Sequence, residues 1–427
     1  MQKSEDRRVW SKVVALMVAL SAMSYINRTV ISVAAPTLIK HFHLSETQMG
    51  SIFSAFILSY GIVMAPGGWL ADRLGPRWIL ALVGGGSAIF TALTAVVGTT
   101  SLASYLSVFW CFLVVRLALG ACSAPLYPAC ARMNANWVPL LDRARVQGLI
   151  IGGAPLGAAI TPMLFAWLIA RYGWQRSFFL AAAATAMLTV VWLRYVQDHP
   201  TGSSASQDVT PQTRRTDTSV WSLLRNRNIL LLTAGYIALN YFEYIFFYWM
   251  YYYFGEIRKV GASQSAIYTT VLLLVMMVML PLGGWVADRL IPRFGTVPAC
   301  RTVAVAGMVL SAVLLYVGTN LVTGLPMVAL LSLALGLAAF TEGPFWAALI
   351  EAGGSHVGAA GGIMNGVGNV GGVLAPALTP YIAATAGWSW GLYFGSFIVV
   401  AGAVTWFFLR ASPETDTPVA NRGALLT

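Results

Sequence analysis

Long apolar segments dominate this chain and restrict what it can fold into. Twelve are long enough to cross a bilayer, which takes about 20 mostly apolar residues in an α-helix. They lie near residues 12–37, 48–71, 77–98, 103–131, 145–170, 174–195, 228–254, 264–287, 296–318, 321–350, 357–384 and 388–409. Only 10% of the 427 residues are charged, against about 25% in soluble domains. A soluble fold is excluded, and the pattern predicts an all-α polytopic membrane protein with twelve transmembrane helices.

One polar stretch divides the apolar segments into two groups of six. It is rich in Ser, Thr and Pro, a composition typical of a flexible linker. The sequence therefore predicts an N-terminal six-helix bundle at 1–195, a cytoplasmic linker at 196–227, and a C-terminal six-helix bundle with a short cytoplasmic tail at 228–427.

The two groups of segments repeat each other. GGWLADRL at 67–74 recurs as GGWVADRL at 283–290, an offset of 216 residues, and LALG at 117–120 recurs as LALG at 333–336. Six spans separate the copies, so the halves have the same topology. They are expected to be related by an axis along the membrane normal, with a substrate site between them near the midplane.

Positive charge is distributed unevenly between the loops. The chain carries 26 Lys and Arg residues and a formal net charge of +11. Most of these residues fall in segments that share one side of the membrane if the N-terminus is inside. The positive-inside rule therefore predicts that both termini are cytoplasmic. This reading of the charge is preferred to nucleic-acid binding.

Several motifs resemble a known family. GGWLADRLGPR, with its second copy GGWVADRLIPR, resembles the signature loop of the major facilitator superfamily. YINRTVISVAAPTL, RLALGACSAPLYPACARMNANWVP and GGIMNGVGNVGGVLAPALTPYIA are similar to its anion:cation symporter branch. That branch includes bacterial hexuronate and aldonate transporters and vesicular glutamate and sialic-acid carriers. The resemblance covers residues 20–395. It implies two pseudo-symmetric six-helix bundles, alternating access and a carboxylated substrate.

Two arginines lie in the middle of predicted helices. Arg28 and Arg116 would each cost about 2.5–3.5 kcal/mol at a helix centre. Such residues persist when they face a cavity, and Arg binds carboxylate through two parallel hydrogen bonds. The alternative is that each is tied to backbone carbonyls or an acid and only holds helices together. The resemblance places substrate-contacting arginines at both positions and a cavity-lining tyrosine at Tyr25.

The usual titrating residues of the resembled branch are absent. Its proton-coupled members usually carry Asp before the first arginine and often Glu seven residues after the second; here these residues are Asn27 and Ser123. Under the internal offset of 216 residues, Glu243 occupies the position equivalent to Asn27. Glu342 is a second intramembrane acid. Both are predicted proton-coupling candidates. The alternatives are a salt bridge to an arginine or burial as a neutral hydrogen-bonding acid.

Further polar residues are predicted to contact the substrate. Tyr241 occupies the position that repeats Tyr25, and Asn365 and Asn369 lie one turn apart on one helix face. Together with Asn27 they complete the predicted binding set. Gly358, Gly362 and Gly366 recur every four residues and favour close helix packing.

Charged residues at the cytoplasmic ends of helices form a separate group. We interpret them as a gate or conformational latch that affects transport rates. They are Asp72, Arg73, Arg77, Asp288, Arg289 and Arg293.

The sequence favours transport over the other functions considered. It has no GxSxG, paired-histidine or P-loop motif, so an enzyme is not predicted, and neither a metal nor a cofactor is indicated. The predicted partners are a small organic anion such as a sugar acid, a proton and the bilayer, with no nucleic acid, and the chain is predicted to be a monomer. The alternatives are a uniporter or exchanger of organic anions, or a sugar-phosphate or drug carrier.

Overall fold

A computed structural model describes residues 2–97, 107–139, 142–199 and 223–410. Most of the predicted linker and the C-terminal tail therefore lie outside the described residues. The described chain is helical without strands, and twelve of its helical segments are long and apolar enough to cross a membrane. The predicted fold class is confirmed.

The helices are numbered by the span to which they belong, and spans 4 and 10 are each made of two helices. They are α1 (Gln2–Phe42), α2 (Glu46–Leu74), α3 (Pro76–Val96), α4a (Val108–Ser123), α4b (Leu126–Trp137), α5 (Arg143–Tyr172), α6 (Trp174–Tyr195), α7 (Arg227–Tyr252), α8 (Ala262–Phe294), α9 (Thr296–Asn320), α10a (Leu325–Phe340), α10b (Glu342–Gly353), α11 (Val357–Ala386) and α12 (Trp388–Thr405). The chain forms two compact units, which we call unit 1 (1–217) and unit 2 (218–427).

Spans 4 and 10 are broken at matching places. The break in span 4 falls at Ala124 and Pro125, and the break in span 10 falls at Thr341. Proline has no N–H and its ring clashes with the preceding turn, so it interrupts the helical ladder. Pro125 does this directly, and Pro344 does it in the first turn of α10b. The apolar pattern alone predicted each span as one run.

Glycines allow equivalent helix pairs to approach closely within the two units. A Cβ added to Gly157 of α5 would collide with the carbonyl oxygen of Ala22 on α1. In the same way, a Cβ on Gly371 of α11 would collide with the carbonyl of Ile237 on α7. Lipid tails are as apolar as leucine, so membrane helices associate through such small residues.

The predicted packing role of Gly358, Gly362 and Gly366 is wrong. A Cβ at any of these positions would meet nothing within 4 Å, whereas Gly368 and Gly371 on the same helix lie against α7. A spacing of four residues identifies a face of a helix, but it does not identify the neighbour that the face meets.

The two kinds of glycine on α11 should respond differently to substitution. We expect Gly371→Ala to lower the free energy of unfolding by about 1–3 kcal/mol, because α7 must shift to make room. Gly362→Ala is the matched control and should leave stability unchanged or slightly raised, since Ala has the higher helix propensity. Thermal unfolding of the purified variants measures both. Equal melting temperatures for the two variants would contradict the packing described.

Candidate functional site

Arg28 lies near the middle of α1 with its guanidinium against aromatic rings. Its Cζ atom is 5.1 Å from the ring centroid of Tyr25, 5.4 Å from that of Phe56 and 5.7 Å from that of Tyr60. Arg28 Nη1 also donates to the Tyr25 hydroxyl at 3.5 Å. Ring faces stabilise a cation without neutralising it, so the positive charge of Arg28 is held at a fixed place.

Arg116 of α4a shares the Phe56 ring, with its Cζ atom 5.1 Å from the ring centroid, but it also binds backbone carbonyls. Its Nη1 donates to the carbonyl oxygen of Asn27 at 3.2 Å, and its Nη2 donates to that of Arg28 at 2.8 Å. Its side chain is fully buried, whereas 6% of the surface of Arg28 remains exposed. These contacts tie α4a to the turn of α1 that carries Arg28. They match the alternative in which an arginine is tied to backbone carbonyls.

The membrane-spanning sequences of unit 1 supply no carboxylate near either arginine. Their only acids are Glu46 and Asp72, at the two ends of α2. Removing a charge from water is costly unless an opposite charge is close. Unit 1 therefore provides positive charge at mid-span without a matching acid of its own.

Asn27 and Ser123, which stand where the resembled branch carries acids, are both buried inside unit 1. The Asn27 Nδ2 atom donates to Thr185 Oγ1 of α6 at 2.9 Å, and 1% of the Asn27 surface is exposed. Ser123 is buried beside Ser87 of α3, with the two hydroxyl oxygens 3.3 Å apart. Neutral side chains at these places hold neighbouring helices together.

Unit 2 contains a polar cluster built around Glu342. The Tyr236 hydroxyl lies 2.9 Å from Oε2 and 3.2 Å from Oε1 of Glu342 and donates to this carboxylate. Trp346, one turn along α10b, donates to it as well. Glu342 is the first residue of α10b, where the helix dipole favours negative charge.

Glu243 of α7 lies in the same cluster in different surroundings. Only 4% of its surface is exposed, and its Oε1 atom has no hydrogen-bond partner within the described residues. The charge of Glu342 acts on it. Neither acid forms an ion pair with a described residue of its unit, so this cluster provides negative charge in the absence of a balancing cation.

The other predicted contacts of unit 2 divide between the cluster and the core. Asn369 lies against α7, where the Tyr244 hydroxyl donates to its Oδ1 atom at 3.4 Å. Asn365 is half-buried, and its side chain makes no hydrogen bond within the described residues. The Tyr241 hydroxyl is 3.4 Å from Thr379 Oγ1, and the residue is 3% exposed, so it packs inside unit 2.

The predicted gate residues of unit 1 lie at helix ends. Asp72 forms an ion pair with Arg132 at 3.9 Å, and Arg73 stacks over Trp69 at 4.0 Å. Arg77 Nη2 donates to the Leu193 carbonyl at 2.7 Å, which joins the start of α3 to the end of α6.

An acid from beyond α6 completes this junction. The Asp198 carboxylate accepts from the backbone N–H of Arg77 at 2.9 Å. It thereby caps α3, whose own N-cap residue, Gly75, has no side chain to do so. The end of α6 and the start of α3 are therefore fixed to each other within unit 1.

The matching residues of unit 2 are exposed at the end of α8. Arg289 stacks over Trp285 at 4.6 Å, and Asp288 and Arg293 are exposed. Among the described residues of unit 2, the structure records none that bonds them as Leu193 and Asp198 bond Arg77 in unit 1.

The sequence profile of the Major Facilitator Superfamily matches residues 17–300 and 290–426 of the chain. The chain belongs to the Major Facilitator Superfamily. The resemblance stated from the sequence motifs is thereby confirmed, and this major facilitator protein is a multi-pass membrane protein.

Its relatives are named as transporters of small acids. It is 27% identical to a probable sulfoacetate transporter of Cupriavidus necator, with 96% of each chain covered. It is 26% identical to a hexuronate transporter of Bacillus subtilis, with 96% of this chain and 98% of the relative covered. It is 25% identical to a probable L-galactonate transporter of Escherichia coli, with 96% and 91% covered.

A solved structure has the same fold. It is the crystal structure of a bacterial homologue of the human lysosomal transporter Spinster, in an inward-facing and occupied conformation. The TM-score is 0.76 at 16% sequence identity, with 95% of this chain and 99% of that chain covered.

Sequence reasoning missed three residues around these sites in the major facilitator protein. Phe56 and Tyr60 complete the aromatic surroundings of Arg28, and their spacing of four residues on α2 was the available signal. Tyr236 lies seven residues before Glu243, which places both on one face of α7. The predicted residues of α7 were Tyr241 and Glu243, and Tyr236 was not among them.

The different bonding of the two arginines predicts different effects on stability. Arg116→Lys replaces a forked donor by a single ammonium and should lower the free energy of unfolding by about 1–2 kcal/mol through loss of a charge-assisted bond. Arg28→Lys should cost less without substrate, since Lys keeps a positive charge against the rings of Tyr25, Phe56 and Tyr60. Thermal unfolding of the substrate-free protein tests this. A larger loss in Arg28→Lys would contradict the assignment.

Proposed function

We propose that this major facilitator protein transports a small organic acid anion by alternating access, and that Arg28 binds the acidic group. The observation that carries the proposal is a guanidinium at mid-span of α1, held by three aromatic rings, in a unit whose spans contain no mid-membrane acid. A guanidinium binds an anionic group through two parallel hydrogen bonds. A substrate with an acidic group is the kind of ligand that this guanidinium would bind.

Arg116 is proposed as a positioning residue for Arg28. Its two donors are bound to the carbonyl oxygens of Asn27 and Arg28, so they hold the backbone from which the Arg28 side chain extends. Asn27 takes part in the same junction through Thr185. Of the predicted binding residues in unit 1, Arg28 and Tyr25 are thus the ones proposed to contact substrate.

The proposed substrate class is a carboxylate or sulfonate on a short polar skeleton. Sulfoacetate, hexuronate and L-galactonate appear in the names of the relatives, and each carries an acidic group of this kind. Arg suits both groups because its planar fork matches paired oxygens. Asn365 and Asn369 are proposed to contact the polar part of the substrate.

The proposed setting is a bacterial inner membrane, with both termini in the cytoplasm and the protein acting as a monomer. The positive-inside bias supports this orientation. The charged residues at the ends of α2, α3 and α8 are proposed as a conformational latch that sets transport rates. Asp72 and Arg132, which lie 3.9 Å apart at exposed positions, are suited to this because an exposed ion pair is weak and easily broken.

Transport of acids by reconstituted protein tests the proposal. The panel consists of D-galacturonate, D-glucarate, L-galactonate, sulfoacetate and glucose 6-phosphate, each measured by exchange in proteoliposomes. We expect exchange of at least one of the first four. Arg28→Lys should raise the KM for that acid at least tenfold, or about 1.4 kcal/mol, because the bidentate fork is lost.

The matched control is Arg171→Lys, since Arg171 is exposed at the end of α5. It should retain the wild-type KM. A wild-type KM in Arg28→Lys would show that Arg28 does not bind the substrate. If glucose 6-phosphate were the one compound of the panel to be exchanged, the substrate class would be a phosphate ester and not an organic acid.

A further inference from the structure

We infer that unit 2 contains a proton-binding site in which Glu243 carries the proton and Glu342 is its negatively charged neighbour. The inference rests on the proposed transport function and adds the coupling ion. It places proton binding in unit 2, whereas the resembled branch usually carries its acids at the positions of Asn27 and Ser123 in unit 1.

The first step is that the two carboxylates form a pair. Tyr236 and Glu243 lie seven residues apart on one face of α7, and the Tyr236 hydroxyl donates to Glu342. The charge of each acid reaches Tyr236, and that of Glu342 reaches Glu243. Two nearby carboxylates out of water do not both ionise, so one of them holds a proton.

The second step assigns the proton to one carboxylate. Glu342 accepts from Tyr236 and Trp346 and begins α10b at the positive end of its dipole, and all three favour its charged form. Glu243 has none of these partners. Its Oε1 atom is buried without a hydrogen bond among the described residues, so Glu243 is the acid that is neutral when the site is loaded.

The third step concerns the other groups that face the pair. Tyr236 and Tyr244 of α7 are the other titratable side chains that act within this cluster. The sequences of α10a, α11 and α12 contain no charged residue, and the charged residues of α8 and α9 lie within about two turns of one end of each helix. These elements therefore bring no cation that would balance a second negative charge.

The fourth step favours a proton over a metal cation such as sodium. A sodium ion would require several free oxygen ligands. The oxygens of the cluster already accept hydrogen bonds, since Tyr236 and Trp346 donate to Glu342 and Tyr244 donates to Asn369. A proton needs only one carboxylate oxygen, and Glu243 Oε1 is available for it.

Two transport assays on the same proteoliposomes test the inference. Exchange of D-galacturonate, D-glucarate or sulfoacetate at equal pH on both sides reports on the carrier alone. Net accumulation driven by an imposed inside-alkaline pH gradient reports on coupling. We expect wild type to perform both, and Glu243→Gln to keep exchange within about twofold while losing accumulation at least tenfold.

The matched control is Glu351→Gln. Glu351 is a half-buried acid at the other end of α10b, and its variant should retain both activities. Wild-type exchange without any response to the pH gradient would overturn the proton site and leave the proposed function standing. So would accumulation by Glu243→Gln at the wild-type level, or accumulation that follows a sodium gradient at constant pH.

The protonation of Glu243 can also be measured directly, without a transported substrate. Infrared difference spectra of the reconstituted protein between acidic and alkaline pH should show the carbonyl band of a protonated carboxylic acid. A component of this band that is separate from that of the exposed acids should be present in wild type and Glu351→Gln, and missing in Glu243→Gln. Its absence from wild type, or its retention in Glu243→Gln, would refute the assignment even if none of the acids is exchanged.

Discussion

A guanidinium at the middle of a membrane-spanning helix is the constraint on which unit 1 depends. The charge of Arg28 is surrounded by ring faces of α1 and α2, and the donors of Arg116 join α4a to the α1 backbone at the same level. Three helices thus meet at these two guanidinium groups. The close approach of α4a to α2 is made possible by Gly120 of α4a, where a Cβ would collide with the carbonyl oxygen of Phe56 on α2.

Unit 2 repeats the helices of unit 1 but carries an acid where unit 1 carries an amide side chain. Under the offset of 216 residues, Glu243 is equivalent to Asn27, and Tyr244 is equivalent to Arg28. The cationic position of one unit is a hydroxyl in the other, and the amide position is an acid. This division of charge is the basis of the two proposals, in which Arg28 of unit 1 binds the anion and Glu243 of unit 2 holds the proton.

The spans and the repeat were predictable because both depend on hydrophobicity and length, which the sequence contains directly. Arg28 and Glu243 were predictable as candidates because a charge at membrane depth is costly wherever it faces. The partners of Arg116 were not, since either arginine had the donors to bind the α1 carbonyls, and the choice depends on the distance between α1 and α4a. The breaks in spans 4 and 10 were also missed, because a proline within an apolar run does not reveal which helical bonds are lost.

The glycine contacts of the two units have a consequence for how such a protein changes over time. Gly157 and Gly371 lie in corresponding helix pairs and bear against backbone atoms of α1 and α7, where almost any larger residue must displace a helix. Other polar positions on α1 and α7 meet side chains, which adjust more easily: Asn27 donates to Thr185, and the charge of Glu342 acts on Glu243. The side-chain positions can therefore change while the helix packing at the glycines is inherited intact.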